Sequence, residues 1–485
     1  MTAAAKAFGK GGKGEWMHGL KRRALSLGAV KAFDHALQFL LPVVLVRCLD
    51  AATFGEYRLL WLVVGTLMAF ATLNMAGTLY FFVPRSEPAR KRLFVHQTLF
   101  YLAAAGVVCG LVVSPWNPWL PPAMAPLESH GALVPLFVAL WVVAILLDYL
   151  PTVDERIRWQ AWATLSVAVL RALLVGAGAW FTGEMGVILW LLVATVAVKL
   201  LMLLTYIRLH HGLGRPWFER AAFAEQISHA APIGLSNAAY ALRGQGDQWV
   251  VASLFALTSF AAFSIAALVA QVVHVFRHSV LEAILPSMSR LQAAGDVHGM
   301  MEMNSRANVI VGTLLFPLLA FAFVFAGEIV SVVYTAAYVE AVPAMRVYVL
   351  GMLAMVVEIG SIVLLLRQGA FALKFSLLML AFSVAVSLAA AQQVGLAGAA
   401  AGSVLAIYLD RILMLRRISR LTGLSLRSMQ DWRSLVRALA CAALSGAAAW
   451  LFVWKAMPAS GAFAKAAVGG AVLLVAYAAL NLRRK

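Results

Sequence analysis

The chain has 485 residues, of which 63% are hydrophobic and only 12% are charged. Soluble globular proteins carry about 25% charged residues, so this composition excludes an ordinary soluble protein and indicates a membrane protein. The formal net charge of +18 is also compatible with nucleic-acid binding, but the distribution of the charges along the chain favours another explanation.

The N-terminal segment, residues 1–23, is basic and rich in Gly and Lys, and it lacks the apolar stretch of a signal peptide. Runs of about 20 apolar residues follow it, which is the length that a helix needs to cross a bilayer. We therefore predict an all-α polytopic membrane protein with about 14 transmembrane helices. The predicted helices cover residues 24–48, 57–83, 94–114, 132–150, 159–181, 186–206, 226–252, 260–286, 307–327, 343–366, 375–391, 397–415, 437–454 and 464–482.

The loops between the predicted helices differ sharply in charge. The connections on the side of the N terminus contain 28 Lys and Arg residues, whereas the opposite side has only Lys455 and Lys465. Because Lys and Arg accumulate in cytoplasmic loops, this asymmetry predicts that both termini are cytoplasmic. The excess of basic over acidic residues is thus explained by orientation in the membrane, and no nucleic-acid partner is predicted.

A faint internal repeat relates the two halves of the chain at an offset of 206 residues. Thr53–Tyr57, after the first predicted helix, corresponds to Ser259–Phe263, after the seventh, and Gly28 corresponds to Gly234. Such repeats are typical of transporters with two pseudo-symmetric halves. The predicted organisation is a basic cytoplasmic tail over 1–23, an N-lobe of six helices over 24–206, a C-lobe of six helices over 226–415 and an additional helix pair over 437–482.

Polar side chains lie along one face of the first predicted helix. Asp34 lies three residues after Lys31, and Gln38 lies four residues after Asp34. These spacings place all three side chains on one side of a helix. An amphipathic entry helix with charged ends at the interface would give a similar pattern. Asp34 lies deep in the predicted helix, however, where charge is costly in lipid, so we favour a helix that lines a polar cavity.

The seventh predicted helix carries Tyr240, Arg243 and Asp247 at helical spacing. Arg243 and Asp247 are four residues apart, so one interpretation is an intrahelical ion pair that neutralises itself in a bundle core. The other is that the planar guanidinium of Arg243 binds phosphate. Asp34 and Asp247 are also candidates for the carboxylates that couple transport to an ion gradient.

The eighth predicted helix places Gln271, His274 and His278 on one face, with Arg277 beside them. Two histidines four residues apart resemble a metal site, but the cation between them and the lack of a zincin glutamate argue against metal binding. We predict a polar cavity stripe, with interior histidines that have hydrogen-bond partners as the alternative. His278 is a third candidate for ion coupling, because histidine titrates near neutral pH.

Arg171 lies near the centre of the fifth predicted helix with no acid within one turn, so it requires a partner from another helix, water or an anion. Together the spans contain nine cations and six acids, and this excess favours an interior that binds an anion. Other charged residues lie nearer to the helix ends, where long side chains are expected to reach the interface. These are Asp148, Lys199, Arg346, Glu358, Asp410 and Arg411.

Several enzyme classes find no support in the sequence. There is no phosphate-binding loop for a nucleotide, no nucleophile elbow and no external segment large enough for a catalytic domain. Cys48, Cys109 and Cys441 fall in different predicted spans and show no metal-ligand spacing. We therefore predict a protein that is not an enzyme and that needs neither cofactor nor metal.

Two sets of motifs resemble the Wzx-type polysaccharide flippases of the multidrug/oligosaccharidyl-lipid/polysaccharide (MOP) exporter superfamily. The first runs from Leu45–Asp50 to Phe54–Tyr57, and the second from Asp247–Val251 through Phe260–Ala266 to Leu285–Leu291. The second set departs from the family pattern, because it has Phe263 where the family more often has Tyr and it lacks the loop glycine. The layout of helices and termini extends the resemblance over nearly the whole chain.

The resemblance implies two lobes around a central cavity and transport by alternating access in the bacterial inner membrane. The implied substrate is a lipid-diphosphate-linked oligosaccharide, moved to the external leaflet for O-antigen, capsule or exopolysaccharide synthesis. Membrane lipids and polysaccharide polymerase or assembly proteins are the implied partners. Lys31, Arg171, Arg243 and Arg277 are candidates to hold the diphosphate, and Gln38, Tyr240, Gln271 and His274 to bind sugar hydroxyls.

Three alternatives stay open at this point. One is a cation-coupled multidrug antiporter of the same superfamily, which would have twelve helices and an acidic cavity. Another is a peptidoglycan lipid flippase, which differs only in the sugar cargo. A membrane glycosyltransferase or polymer ligase is the alternative from the enzyme class.

Overall fold

The computed structural model describes residue 30 and residues 32–482, and side chains at 271, 272, 274, 275, 278, 279, 282, 283 and 482 lie outside the description. The described residues form helices joined by turns, with no β-strand among them. Ten helical segments among the described residues are long and apolar enough to cross a membrane, and one of them runs from Leu133 to Val153. The prediction of an all-α polytopic membrane protein is therefore confirmed.

The chain divides into two compact units, Met1–Ala238 and Ala239–Lys485. The lobe boundaries expected from the sequence stay a prediction. The helices of the first unit are α1 (32–48), α2 (Ala51–Ala71), α3 (Met75–Phe82), α4 (Pro88–Val112), α5 (Ala125–Glu128), α6 (Leu133–Ala144), α7 (Leu150–Val153), α8 (Ile157–Phe181), α9 (Met185–His210) and the greater part of α10 (Arg220–Arg243). Within this unit α4 packs against α6, and α9 packs against both α6 and α8.

Two sharp turns in the first unit have clear local causes. Asp50 ends the connection after α1 and caps α2, because its carboxylate accepts hydrogen bonds from the backbone N–H groups of Ala52 and Thr53. The break between α2 and α3 contains Leu73 and Asn74, both at positive φ. Gly234 of α10 lies directly against this break, where a Cβ would collide with the backbone of Leu73.

The helices of the second unit are α11 (Gly246–Leu254), α12 (Leu257–Ala293), α13 (Val297–Val324), α14 (Ala326–Ile329), α15 (Ala341–Met355), α16 (Gly360–Leu365), α17 (Gly369–Val394), α18 (Leu396–Thr422), α19 (Trp432–Ala456) and α20 (Ala462–Leu482). Within this unit α18 packs on both α15 and α17, and α19 packs on α13 and α20. The approach of α17 and α18 is close because Gly398 and Gly402 face Ala390 and Ser387, and any side chain at either glycine would collide.

The internal repeat extends from the sequence to the helix boundaries. Helix α1 ends at residue 48 and α11 at Leu254, and α2 begins at Ala51 where α12 begins at Leu257. Both pairs differ by 206 residues, the offset of the sequence repeat. The matching aromatic residues Phe54 and Phe260 are both buried. The two units therefore share a local helix–turn–helix design.

Four of the fourteen predicted spans are not among the ten helices. The first begins in residues outside the description. The segments predicted at 226–252 and 343–366 are each broken into two helices, α10 with α11 and α15 with α16. The segment at 260–286 is part of the 37-residue α12, whose first part, Leu257–Ala270, is a continuous apolar stretch. These four segments carry several of the charged residues considered below.

Candidate functional site

The first unit contains a partly buried ion pair between two of the predicted site residues. Arg171 of α8 lies with Nη2 at 3.7 Å from Oδ1 of Asp34 on α1. Gln38, one turn along α1, donates a 2.9 Å hydrogen bond to the other carboxylate oxygen. The guanidinium carbon of Arg171 is 5.9 Å from the ring centre of Trp61, within the range of a cation–π interaction. Asp34 is thus the interhelical partner that Arg171 was expected to need.

Arg171 keeps unused hydrogen-bonding capacity in this arrangement. Its Nε is buried and has no hydrogen-bond partner among the described residues. A guanidinium carries five N–H donors in a planar fork that matches phosphate and carboxylate oxygens. Lys31, the other cation expected here, lies outside the described residues.

The second unit contains a larger charged cluster, which begins at the C-terminal end of α10. Arg243 Nη1 donates a 2.8 Å hydrogen bond to Oδ1 of Asp410 on α18, and both side chains are about nine-tenths buried. The interpretation of Arg243 and Asp247 as an intrahelical ion pair is therefore wrong. The helix breaks at residues 244–245, between α10 and α11, so the two side chains no longer share one helical face.

A second arginine of this cluster comes from the long helix α12. Arg277 Nη1 lies 3.3 Å from Oε2 of Glu358 and donates a 3.0 Å hydrogen bond to the carbonyl oxygen of Met355. Met355 is the last residue of α15 and Glu358 lies in the break before α16, where backbone carbonyls lack helical partners. The carboxylate of Glu358 and the carbonyl oxygen of Met355 therefore stabilise the cation of Arg277 inside the helix bundle.

Arg411, next to Asp410 on α18, is the third arginine. Its Nη2 lies 3.2 Å from the sulfur of Met355, and its buried Nε has no hydrogen-bond partner among the described residues. The charges of Arg243, Arg277, Asp410 and Glu358 all act on it. We call these five residues the arginine cluster. With three guanidiniums and two carboxylates it has a net charge of +1, and this surplus favours an anion.

Asp247 lies apart from these ion pairs in a set of hydroxyl groups. It is only 1% exposed, and the hydroxyl of Tyr348 donates a 2.6 Å hydrogen bond to it. Ser403 is a further hydrogen-bond partner, and Ser383 lies 3.2 Å from Ser403. No described cation lies within ion-pairing distance of Asp247. A buried carboxylate held only by neutral donors is suited to take up a proton or a small cation.

Buried amides connect the arginine cluster to the loop before α19. Asn308 of α13 accepts a 3.1 Å hydrogen bond from the backbone N–H of Glu358 and donates a 2.8 Å bond to the side chain of Gln430. Asn304 donates to the carbonyl oxygen of Glu358 at 2.9 Å. The backbone that carries the Glu358 carboxylate is thus fixed by residues next to the C-terminal helix pair.

The structure describes the remaining predicted site residues only in part. Tyr240 is more than half exposed, with its ring centre 5.8 Å from the guanidinium of Arg243. Gln271, His274 and His278 lie on α12, but their side chains are outside the description. Their predicted roles stay predictions.

The expectation that charges near helix ends reach the interface is wrong for three residues. Glu358, Asp410 and Lys199 are 5–7% exposed, and Lys199 donates a 2.7 Å hydrogen bond to Asp148. Asp410 seemed close to the end of a span because 397–415 was predicted where α18 continues to Thr422. Glu358 was assigned to a continuous helix that is in fact broken beside it.

The model of the polysaccharide biosynthesis protein family matches residues 20–292, more than half of the chain. The chain belongs to this family. No curated protein sequence matches this member of the family significantly.

Solved structures show which fold this polysaccharide biosynthesis protein has. The lipid II flippase MurJ, in an inward closed conformation, is 12% identical with a TM-score of 0.68 and covers 94% of this chain and 99% of its own. An inward-facing MATE family multidrug resistance transporter of the MOP superfamily is 15% identical with a TM-score of 0.59, covering 80% and 96%. A MOP superfamily transporter from Pyrococcus furiosus is 13% identical with a TM-score of 0.50, covering 83% and 96%. The fold is that of the MOP transporters.

Proposed function

We propose that this protein is a flippase that moves a lipid-diphosphate-linked oligosaccharide from the cytoplasmic to the external leaflet of the bacterial inner membrane. It would do so by alternating access, with both termini in the cytoplasm. Family membership and the transporter fold support a role in carrying a substrate of polysaccharide synthesis. The arginine cluster supports the nature of its headgroup.

The net positive charge of the arginine cluster is the observation that carries the proposal. A diphosphate is doubly anionic and presents paired oxygens, which arginine binds in a bidentate manner. Arg411 has no carboxylate at ion-pairing distance among the described residues, so its charge remains available to a substrate. A cluster with surplus cation is unsuited to the cationic drugs of an antiporter, because like charges repel in a poorly solvated site.

Sugar recognition requires hydrogen-bonding groups near the cations. Tyr240 places an exposed phenol next to Arg243. In the first unit, Gln38 lies beside the pair of Asp34 and Arg171. We assign these groups to the sugar hydroxyls, as the sequence suggested, while the prenyl chain stays in the hydrocarbon of the bilayer.

We assign ion coupling to Asp247. Its carboxylate is buried among the hydroxyl groups of Tyr348 and Ser403, so its charge state depends on whether a proton or a cation occupies the site. Asp34 differs, since it already forms an ion pair with Arg171. Asp247 is therefore the stronger of the two candidate coupling carboxylates.

The proposal is tested by depleting the protein from cells and analysing lipid-linked sugars by mass spectrometry, with an impermeant label to assign the leaflet. We expect a prenyl-diphosphate oligosaccharide to accumulate on the cytoplasmic side. Its mass would identify the cargo, and accumulation of lipid II instead would assign the protein to peptidoglycan synthesis.

Re-expression of the wild-type protein should clear the intermediate, whereas Arg277→Gln should not. Arg306→Gln is the matched control, because Arg306 is an exposed arginine of the same unit that pairs locally with Glu302. Normal leaflet distribution with normal surface polysaccharide after depletion would contradict the flippase function.

A further inference from the structure

A groove of about 580 Å³ lies in the second unit between α13, α15 and α19, away from the arginine cluster residues. A volume of this size is typical of sites for small amphiphilic molecules. Its lining is almost entirely apolar. The lining includes Phe316, Phe323, Arg346, Leu439, Ala447 and Trp450.

The groove has one polar end. Arg346 is the one charged residue among those that line it, and its guanidinium carbon lies 5.8 Å from the ring centre of Phe323. Trp450 lies at the same end, one turn beyond Gly446, which faces Val324. Trp450 stacks on Trp454 with ring centres 5.9 Å apart, and exposed Trp pairs near a helix end are typical of the membrane interface. The opposite end is formed by residues such as Phe316, which lies two turns deeper on α13.

The length of the groove matches one leaflet of a bilayer. Along α19 the lining runs from Leu439 to Trp450, which is about 16 Å at 1.5 Å per residue. Half of a hydrocarbon core of about 30 Å is nearly the same distance. A chain that starts at the interface near Arg346 would therefore end close to the middle of the membrane.

Arg346 is held in a way that leaves donors for a ligand. Its Nε donates a 3.1 Å hydrogen bond to the carbonyl oxygen of Phe323, at the last turn of α13. This bond fixes the guanidinium at the mouth of the groove, and the side chain remains exposed. The two terminal amino groups then suit a single phosphodiester, which carries one negative charge.

We propose that this groove binds one anionic glycerophospholipid, with its phosphodiester on Arg346 and one acyl chain along α19. Charge complementarity and the one-leaflet length favour this ligand over a neutral lipid or a prenyl chain. The bound lipid would join α19, and with it the C-terminal helix pair, to α13 and α15. The site is separate from the proposed transport function and is tested without a transport assay.

The test is native mass spectrometry of the purified full-length protein in detergent, titrated with equal amounts of phosphatidylglycerol and phosphatidylethanolamine. We expect one phosphatidylglycerol to bind preferentially. Arg346→Gln should weaken that binding about fivefold, from the contribution of one basic side chain near an anionic lipid. Arg346→Lys should stay within about twofold, because the charge is kept.

Two further variants distinguish binding of the lipid headgroup from binding of the acyl chain. Ala447→Phe fills the groove and should weaken the binding of both lipids. Lys455→Gln removes an exposed cation at the same end of α19 but outside the groove, and it should change nothing. Equal binding of the two lipids, an unchanged affinity in Arg346→Gln, or displacement of phosphatidylglycerol by a prenyl monophosphate at equal concentration would overturn the proposal.

Discussion

Arg243 donates a 2.8 Å hydrogen bond to Asp410, and the residue next to Asp410, Arg411, has no carboxylate within ion-pairing distance among the described residues. Neighbouring positions on α18 thus have opposite roles. Asp410 neutralises a cation that arrives from α10, whereas Arg411 adds the charge that makes the cluster positive. Removing one charge of the pair formed by Arg243 and Asp410 should therefore have a different effect from removing the charge of Arg411.

Arg411→Gln should impair transport with little loss of stability. The change removes the surplus charge but leaves the pairs of Arg243 with Asp410 and Arg277 with Glu358 intact. One strong charge-assisted contact to a phosphate is worth about 1.5–3 kcal/mol, so the apparent affinity for substrate should fall roughly 10- to 100-fold. The measurement is uptake of a prenyl-diphosphate sugar by proteoliposomes, with the melting temperature as the control for folding. Unchanged uptake would exclude Arg411 from the headgroup site.

Arg243→Gln should instead destabilise the protein. It leaves the buried carboxylate of Asp410 unpaired, and breaking a buried ion pair from one side costs about 3–5 kcal/mol. Asp410→Asn, introduced into the same variant, removes the stranded charge and should restore most of the stability. Thermal unfolding of the two single variants and the double variant forms a complete cycle. If the stability losses of the two single variants add up in the double variant, the two side chains are not coupled.

The sequence predicts much of the fold but little about which charged and polar side chains contact each other. Apolar runs and loop charges are local properties, and the 206-residue offset is visible in residues such as Phe54 and Phe260, so class and repeat follow directly. Partners depend on where helices break. The break at residues 244–245 sends Arg243 to Asp410 and Asp247 to Tyr348, and only the adjoining Gly244 and Gly246 hint at it in the sequence.

Asp247→Asn should uncouple transport from its driving ion. The amide is similar in size and can still bind the hydroxyl groups of Tyr348 and Ser403, but it cannot take up a proton or hold a cation. In proteoliposomes we expect the wild-type protein to respond to an imposed proton or sodium gradient and the variant to respond to neither. Tyr348→Phe removes the 2.6 Å hydrogen bond and keeps the carboxylate, so it should shift the ion dependence rather than abolish it. An equal gradient response in Asp247→Asn would remove Asp247 from the coupling site.

Asn308→Leu should lower the stability and weaken transport together. Asn308 satisfies the buried N–H of Glu358 and the side chain of Gln430, and each group left without a partner costs about 1–3 kcal/mol. The loss also frees the backbone that carries the partner of Arg277. Arg427→Gln changes an exposed residue in the loop that contains Gln430 and should have no effect on either quantity. If Asn308→Leu lowers the melting temperature but leaves substrate affinity unchanged, the amide is structural only.

Outside the membrane spans, Asp154 forms a polar cluster at the end of α7. His211 and the hydroxyl of Tyr206 each contact the same carboxylate oxygen, at 2.8 Å and 2.7 Å. Burial raises the pKa of Asp154, but the hydrogen bonds from His211 and Tyr206 outweigh this effect and hold the pKa below its ordinary value of 3.8. A carboxylate with a lowered pKa stabilises the folded state above its unfolded pKa, and this stabilisation is lost as the pH falls through the folded pKa.

The wild-type protein should therefore be more stable than Asp154→Asn at pH 7, and the difference should shrink below about pH 4. Hydrogen bonds to a charged group contribute about 1.5–3 kcal/mol, which sets the scale at neutral pH. Apparent melting temperatures of both proteins in detergent, measured from pH 7 down to pH 3, give the comparison. Tyr206→Phe removes one donor and leaves the contact with His211, so it should lie between the two. A difference that stays constant with pH would mean that the charge of Asp154 does not stabilise this end of the first unit.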